Sequence, residues 1–167
     1  MTIWVDADAV PTLIKEILIR ASRRTRIPLV FIANQPIPVP ADVQITAFQV
    51  SSGFDKADDE IVERVKAGDM VITQDIPLAA EVIAKGGLVV TPRGDTLDKQ
   101  NIGARLNMRD FMDSMRGSGM QTGGPPPMTE TDRRHFAGLL DRYLAKQPKQ
   151  PIQPIQPIDP EQPKGNT

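Results

Sequence analysis

Apolar positions along the chain alternate between short continuous runs and stretches at helical spacing. Residues 3–5 are apolar and end at Asp6, which predicts a strand. Val10, Leu13, Ile14, Ile17, Leu18 and Ala21 then recur at helical spacing, with Pro11 suited to the first turn. Residues 29–33 form an unbroken apolar run, as expected of a strand covered on both faces. The proline-containing stretch 37–42 reads as a loop, and 43–50 as a third strand. Ala57, Ile61, Val62 and Val65 mark a second helix closed by Gly68. Residues 70–73 predict a fourth strand, and Pro77 opens a third helix that stops at Gly86-Gly87. Residues 88–91 predict a fifth strand; helices near 102–115 and 131–145 follow, separated by a Gly- and Pro-rich loop at 117–128.

This alternation predicts an α/β fold, with helices on both faces of a mostly parallel sheet in a three-layer α/β/α sandwich. The chain has 167 residues, enough for one ordinary domain. We place that domain at 1–146 and a proline-rich disordered tail at 147–167. In the tail Pro148, Pro151, Pro154, Pro157, Pro160 and Pro163 recur every third residue, the period of a polyproline II helix. The tail reads as a solvated extension or as a docking peptide for a proline-recognising partner.

Composition narrows the chemistry. Lys plus Arg total 20 against 21 Asp plus Glu, which excludes coating of nucleic acid by bulk charge but leaves a local basic groove open. The absence of Cys excludes disulfides, thiolate zinc sites and Cys nucleophiles, and a single His excludes a His-based metal cluster. No apolar run reaches the roughly 18–20 residues that span a bilayer, and no secretory signal is visible; a cytoplasmic protein that does not engage a membrane is the expectation.

In open parallel sheets, ligands bind beyond the carboxyl ends of the strands. There this chain carries Asp6-Ala7-Asp8 after the first strand, Asn34 after the second, and Ser51-Ser52-Gly53 then Asp55 after the third. Asp75 follows the fourth and Pro92-Arg93-Gly94 the fifth. Asp8, Asp55 and Asp75 have a plain alternative as helix caps. Asp58 adds a geometric clue. At about 100° per residue, with Asp58 at zero, Ile61 lies at about −60°, Val65 at about −20° and Val62 at about +40°. Asp58 thus sits within the apolar arc, Asp59 at its edge, and Glu60 toward solvent. A carboxylate on a buried face needs a cationic partner, either a basic side chain or a divalent ion.

Gathered at one edge, Asp6, Asp8, Asp58 and Asp75 would repel one another without a cation, and oxygen-only ligands favour Mg²⁺ or Mn²⁺. The expectation is metal-dependent hydrolysis of phosphodiesters, with Asp6, Asp58 and Asp75 holding the cation and Asp8 assisting. Asn34 and Arg93 are the expected substrate contacts, and RNA or another nucleic acid the expected partner. Arg20, Arg23, Arg24 and Arg26 cluster at the far end of the first helix, where the helix dipole and solvation account for them. Arg105, Arg109 and Arg116 line either a phosphate-tracking groove or a solvated face. Trp4 and His135 read as structural.

The chain resembles the bacterial YaiI/YqxD family, an uncharacterised group related to PIN-domain proteins. The matching stretches include Trp4-Val-Asp-Ala-Asp8, Phe31-Ile-Ala-Asn34, Gly53-Phe-Asp-Lys-Ala-Asp58 and Gly68-Asp-Met-Val-Ile-Thr-Gln-Asp75. Further matches are Thr91-Pro-Arg-Gly94, Arg105-Leu-Asn-Met-Arg-Asp110, Thr122-Gly-Gly-Pro-Pro126 and Asp132-Arg133. The resemblance implies a PIN-like sandwich and a Mg²⁺- or Mn²⁺-dependent nuclease. In it Asp6 and Asp75 match the strand-end acids, Asp58 the helix acid, and Asp8 a fourth. Members usually carry Cys where this chain has Val10 and often Tyr where it has Leu97. Two alternatives stand beside this one. One is a non-catalytic module that binds a metal or a protein. The other is a phosphatase of the haloacid-dehalogenase type, reading Asp6-Ala7-Asp8 as its nucleophile and acid pair and Gly68-Asp69 with Asp75 as its later acidic motif; against it, Asp69 precedes the fourth strand while Asp75 follows it, and no Ser or Thr ends the second strand.

Overall fold

The structure is a computed structural model, and it describes residues 1–50, 56–117 and 127–147. Ser51-Ser52-Gly53, Asp55, most of the stretch 117–128 expected to be a loop, and residues from 148 onward lie outside the described residues. A six-stranded sheet forms the middle layer: β1 (Ile3–Asp6), β2 (Leu29–Ala33), β3 (Ile45–Gln49), β4 (Met70–Ile72), β5 (Leu88–Val90) and β6 (Thr96–Leu97). The helices are α1 (Thr12–Thr25), α2 (Lys56–Arg64), α3 (Ile76–Ala84), α4 (Ile102–Gly117) and α5 (Glu130–Ala145). The spatial order is β3-β2-β1-β4-β5-β6. All neighbours are parallel except β5 and β6, which are antiparallel.

Strict alternation in the central strands makes this an α/β/α sandwich. Ile3 and Val5 of β1, Leu29, Phe31 and Ala33 of β2, and Met70 and Ile72 of β4 pack into one core. Ile14 and Leu18 of α1 and Phe136, Leu140 and Leu144 of α5 cover it. Trp4, Val30, Ile32, Val71 and Val89 project the other way, onto Ile61 of α2 and Leu78, Val82 and Ile83 of α3. Both faces of β1, β2 and β4 are thus buried, which explains their unbroken apolar runs.

The structure departs from the sequence-based expectation in several places. β3 is shorter than 43–50, since Val43 is exposed and Gln44 precedes the strand. β2 and β3 pair in parallel across a crossover, 34–44, that contains no helix. The two-residue β6 is an addition, too short to leave a periodic signal. Pro11 stands at the N-cap of α1 instead of inside its first turn, after a 3-10 turn at Ala7–Ala9. Among the described residues no helix is long and apolar enough to cross a membrane.

At the amino edge of the sheet, Asp69 is buried and accepts three hydrogen bonds. They come from the Thr2 amide (3.0 Å), the Trp4 indole Nε1–H (3.1 Å) and the Lys66 amide (3.0 Å). Trp4 is therefore structural, as expected, and it is held by a carboxylate. Asp69 lies at the edge opposite the end of β1, so it cannot serve beside Asp6 as a phosphatase's later acid.

Candidate acidic site at the sheet switch point

From β1 the chain moves outward to β2 and β3, then returns past β1 to build β4, β5 and β6 on the other side. The reversal lies between β1 and β4, the place at which open α/β sheets commonly bind ligands. Asp6 ends β1, and Thr73 directly follows β4. Asp6 shares the parity of Trp4 and is 6% exposed; Thr73 is fully buried. The Thr73 hydroxyl donates to Asp6 Oδ2 at 3.0 Å and accepts from the Asp75 amide at 3.0 Å. Asp75 in turn caps α3, its Oδ1 accepting from the Leu78 amide at 3.0 Å. One chain of hydrogen bonds thereby joins the ends of β1 and β4 to the start of α3.

Asp8 is exposed on the 3-10 turn, and its Oδ2 accepts from the Asn34 amide at 2.8 Å. It does not cap α1, because that turn and Pro11 intervene. It clamps the end of β2 to the end of β1 instead. Asn34 Oδ1 is buried and has no hydrogen-bond partner among the described residues. The Gln74 side chain donates to the Ala9 carbonyl at 3.3 Å, closing the turn against β4.

Burial pushes the Asp6 carboxyl above its ordinary range. The Thr73 hydrogen bond draws it back, and the negative charges of Asp75 and Asp8 push it up again. Asp6 therefore lies within electrostatic reach of Asp8 and Asp75. Asp58 stands in the first turn of α2, half-buried, next to the buried Ala57, and α2 packs on β1 and β2. Glu60, expected toward solvent, is partly covered because it pairs with Arg64 at 3.3 Å.

The donor set suits a hard cation. Asp6, Asp8 and Asp75 each commit one oxygen to a hydrogen bond, and the second oxygen of each accepts none among the described residues. No three acidic or His side chains among the described residues are gathered tightly enough to enclose an ion. An ion here would keep several waters and take one or two carboxylates, the usual habit of Mg²⁺.

Arg93 is placed differently from expectation. Its guanidinium donates to Asp132 Oδ2 at 2.6 Å, tying the β5–β6 turn to α5. Asp132 also closes a capping box with Thr129, and the Thr129 amide and Arg93 hold its carboxyl below the ordinary range. Gly94 has φ +88, and a Cβ there would lie 2.8 Å from the His135 carbonyl carbon and the Phe136 nitrogen. Arg93 thus docks α5. Arg105 lies 3.8 Å from Asp95; the side chains of Arg109 and Arg116 are outside the described residues.

Sequence reasoning overlooked Thr73 and Asp132. A Thr ending a β-branched strand looks like ordinary strand composition. The Thr129-x-x-Asp132 spacing was the readable signal for the capping box.

A family model described as "Uncharacterized BCR, YaiI/YqxD family" matches residues 4–146. A UPF0178 protein of Thioalkalivibrio sulfidiphilus is 62% identical over 147 residues, covering 88% of this chain and 100% of that protein. A UPF0178 protein of Vibrio cholerae is 61% identical over 147 residues, covering 88% and 99%. One from Shewanella amazonensis is 56% identical over 149 residues, covering 89% and 100%. No solved structure gives a significant match.

Proposed function

The chain belongs to the YaiI/YqxD family, and we propose that it is a divalent-metal-dependent nuclease acting on RNA. One observation carries this reading. Asp6 is a buried carboxylate at the topological switch point, close enough to Asp75 and Asp8 to feel both charges. Such a group costs stability unless positive charge comes to it. A buried carboxylate beside other acids at a ligand-binding position of the fold is a candidate functional group.

In this reading Asp6, Asp75 and Asp58 hold Mg²⁺ or Mn²⁺, directly or through water. The cation supplies positive charge to the phosphodiester and acidity to an attacking water. Asp8 orients that water through the oxygen it does not give to Asn34. Asn34, which follows β2 and is joined to Asp8 through its backbone amide, is the contact to the sugar in this reading. Arg93 reaches a phosphate as a second contact only by loosening its hold on Asp132.

The test incubates purified protein with single-stranded RNA and Mn²⁺, beside an Asp6→Asn variant. Cleavage by the native chain that is lost in the variant supports the reading. Equal behaviour of the two removes it. A non-catalytic module is the second reading, favoured by the lack of a preassembled three-carboxylate cage among the described residues. A rise in melting temperature on adding Mn²⁺, without turnover, would select it.

A further inference from the structure

A basic surface lies away from the acidic edge, between α1 and α5. A groove of about 210 Å³ runs between these helices. Arg20 and Arg24 line it from α1, and Arg133 and Arg134 from α5. The acid on its wall is Asp141, and its floor is aliphatic, with Ala21 and Ala137. In a chain of net charge −1 this is marked segregation of charge.

Neighbouring acids neutralise only part of it. Arg24 pairs with Asp141 at 2.7 Å; Arg133 bonds to Glu130, and Arg134 lies 3.9 Å from the same carboxylate. Arg20 makes no ion pair among the described residues. Four guanidinium groups thus share two carboxylates. Arg20, Arg24 and Arg134 are all exposed, so their charge faces solvent.

We propose that this groove binds the phosphate backbone of single-stranded nucleic acid. Guanidinium forks match phosphate oxygens in pairs. Arg20 and Arg24 stand one helical turn apart, about 6 Å along α1, and two arginines of α5 face them across the groove. The groove therefore presents charge to both sides of an extended strand. Its aliphatic floor offers neither the aromatic platform that would read bases nor the anchor pocket that a peptide side chain would fill. Binding here is electrostatic and indifferent to sequence, and it stands whether or not the acidic edge cleaves.

The test is fluorescence anisotropy with labelled oligouridylate in EDTA, so that no metal-dependent cleavage intervenes. Four proteins are compared: the native chain, Arg20→Glu with Arg134→Glu, Arg20→Gln, and Asp141→Asn. Native binding is expected to weaken steeply with salt. The double variant should bind at least about tenfold more weakly, with a salt slope lower by about 2. Asp141→Asn should bind more tightly. Circular dichroism checks the fold, and the milder Arg20→Gln should show a smaller loss in the same direction. Absence of salt-dependent binding by the native chain overturns the proposal. So does a double variant that is folded and binds normally, or polyglutamate binding as tightly as the RNA.

Discussion

The Thr73 hydroxyl bridges the two strands at which the sheet reverses its order, donating to Asp6 at 3.0 Å while accepting from the Asp75 amide at 3.0 Å. Thr73 belongs to β4's end and Asp6 to β1's, so a single buried oxygen sets the spacing of two acids 69 positions apart in sequence (Asp6 to Asp75).

Replacing Thr73 by Val keeps the shape and removes the hydroxyl. Asp6 Oδ2 and the Asp75 amide then lose their partner in a buried place. The expected cost is about 1–3 kcal/mol in denaturant unfolding, with Thr73→Ser close to native. Equal stability of the Val variant would show that the bridge does not matter.

Asp6 itself makes the fold sensitive to pH. Its carboxyl is raised above the ordinary 3.8 by burial, so the native chain holds that proton longer than the unfolded chain does. Between 3.8 and the raised native value the native state binds more protons, and stability falls as pH rises. Above that window the loss stays constant. Asp6→Asn should therefore melt at a higher temperature than the native chain at neutral pH. The difference should shrink to nothing as pH falls below 3.8. Melting curves across pH check this, and a variant that is less stable at neutral pH would contradict it.

Asp69 holds the amino edge of the sheet as Thr73 holds the carboxyl edge. Asp69→Ala strands the Trp4 indole N–H and two backbone amides, at an expected cost of about 2–4 kcal/mol. Trp4→Phe loses one of those bonds and should cost less. Because Asp69 lies at the other edge, its loss should leave metal binding intact once the protein is folded.

Gly94→Ala tests how the Arg93 turn meets α5. The positive φ is unfavourable for Ala, and the new Cβ meets backbone atoms of His135 and Phe136 that cannot rotate away. A loss of more than about 1 kcal/mol is expected. Hydrogen exchange should rise first in α5, whose N-terminus the turn holds through Arg93 and Asp132.

The central strands were legible because each is an unbroken apolar run, but their order in the sheet was not, since it depends on which runs pair at long range. Asp6 was legible for a related reason: an apolar strand that stops at an acid places that acid at the sheet edge. That Asp8 and Asp75 lie within electrostatic reach of Asp6 follows from both standing just after strands that are neighbours in the sheet. What was not legible depended on long-range partners. Arg93 and Asp132 are 39 positions apart, and nothing local distinguishes a docking arginine from a substrate contact. Asp8 has the composition of a helix cap, but the 3-10 turn after β1 turns it toward Asn34. The basic cluster on α1 looked like a dipole-compensating helix end. Only the packing of α5 alongside turns part of it into a groove.

Calorimetric titration of Mn²⁺ into the native chain and into Asp6→Asn probes the acidic edge most directly. The native chain should bind the ion, more tightly as pH rises and Asp6 gives up its proton, and Asp6→Asn should lose that binding while remaining folded. A native chain that takes up no Mn²⁺, or an Asn variant that takes it up equally well, would contradict the assignment of this edge to a cation.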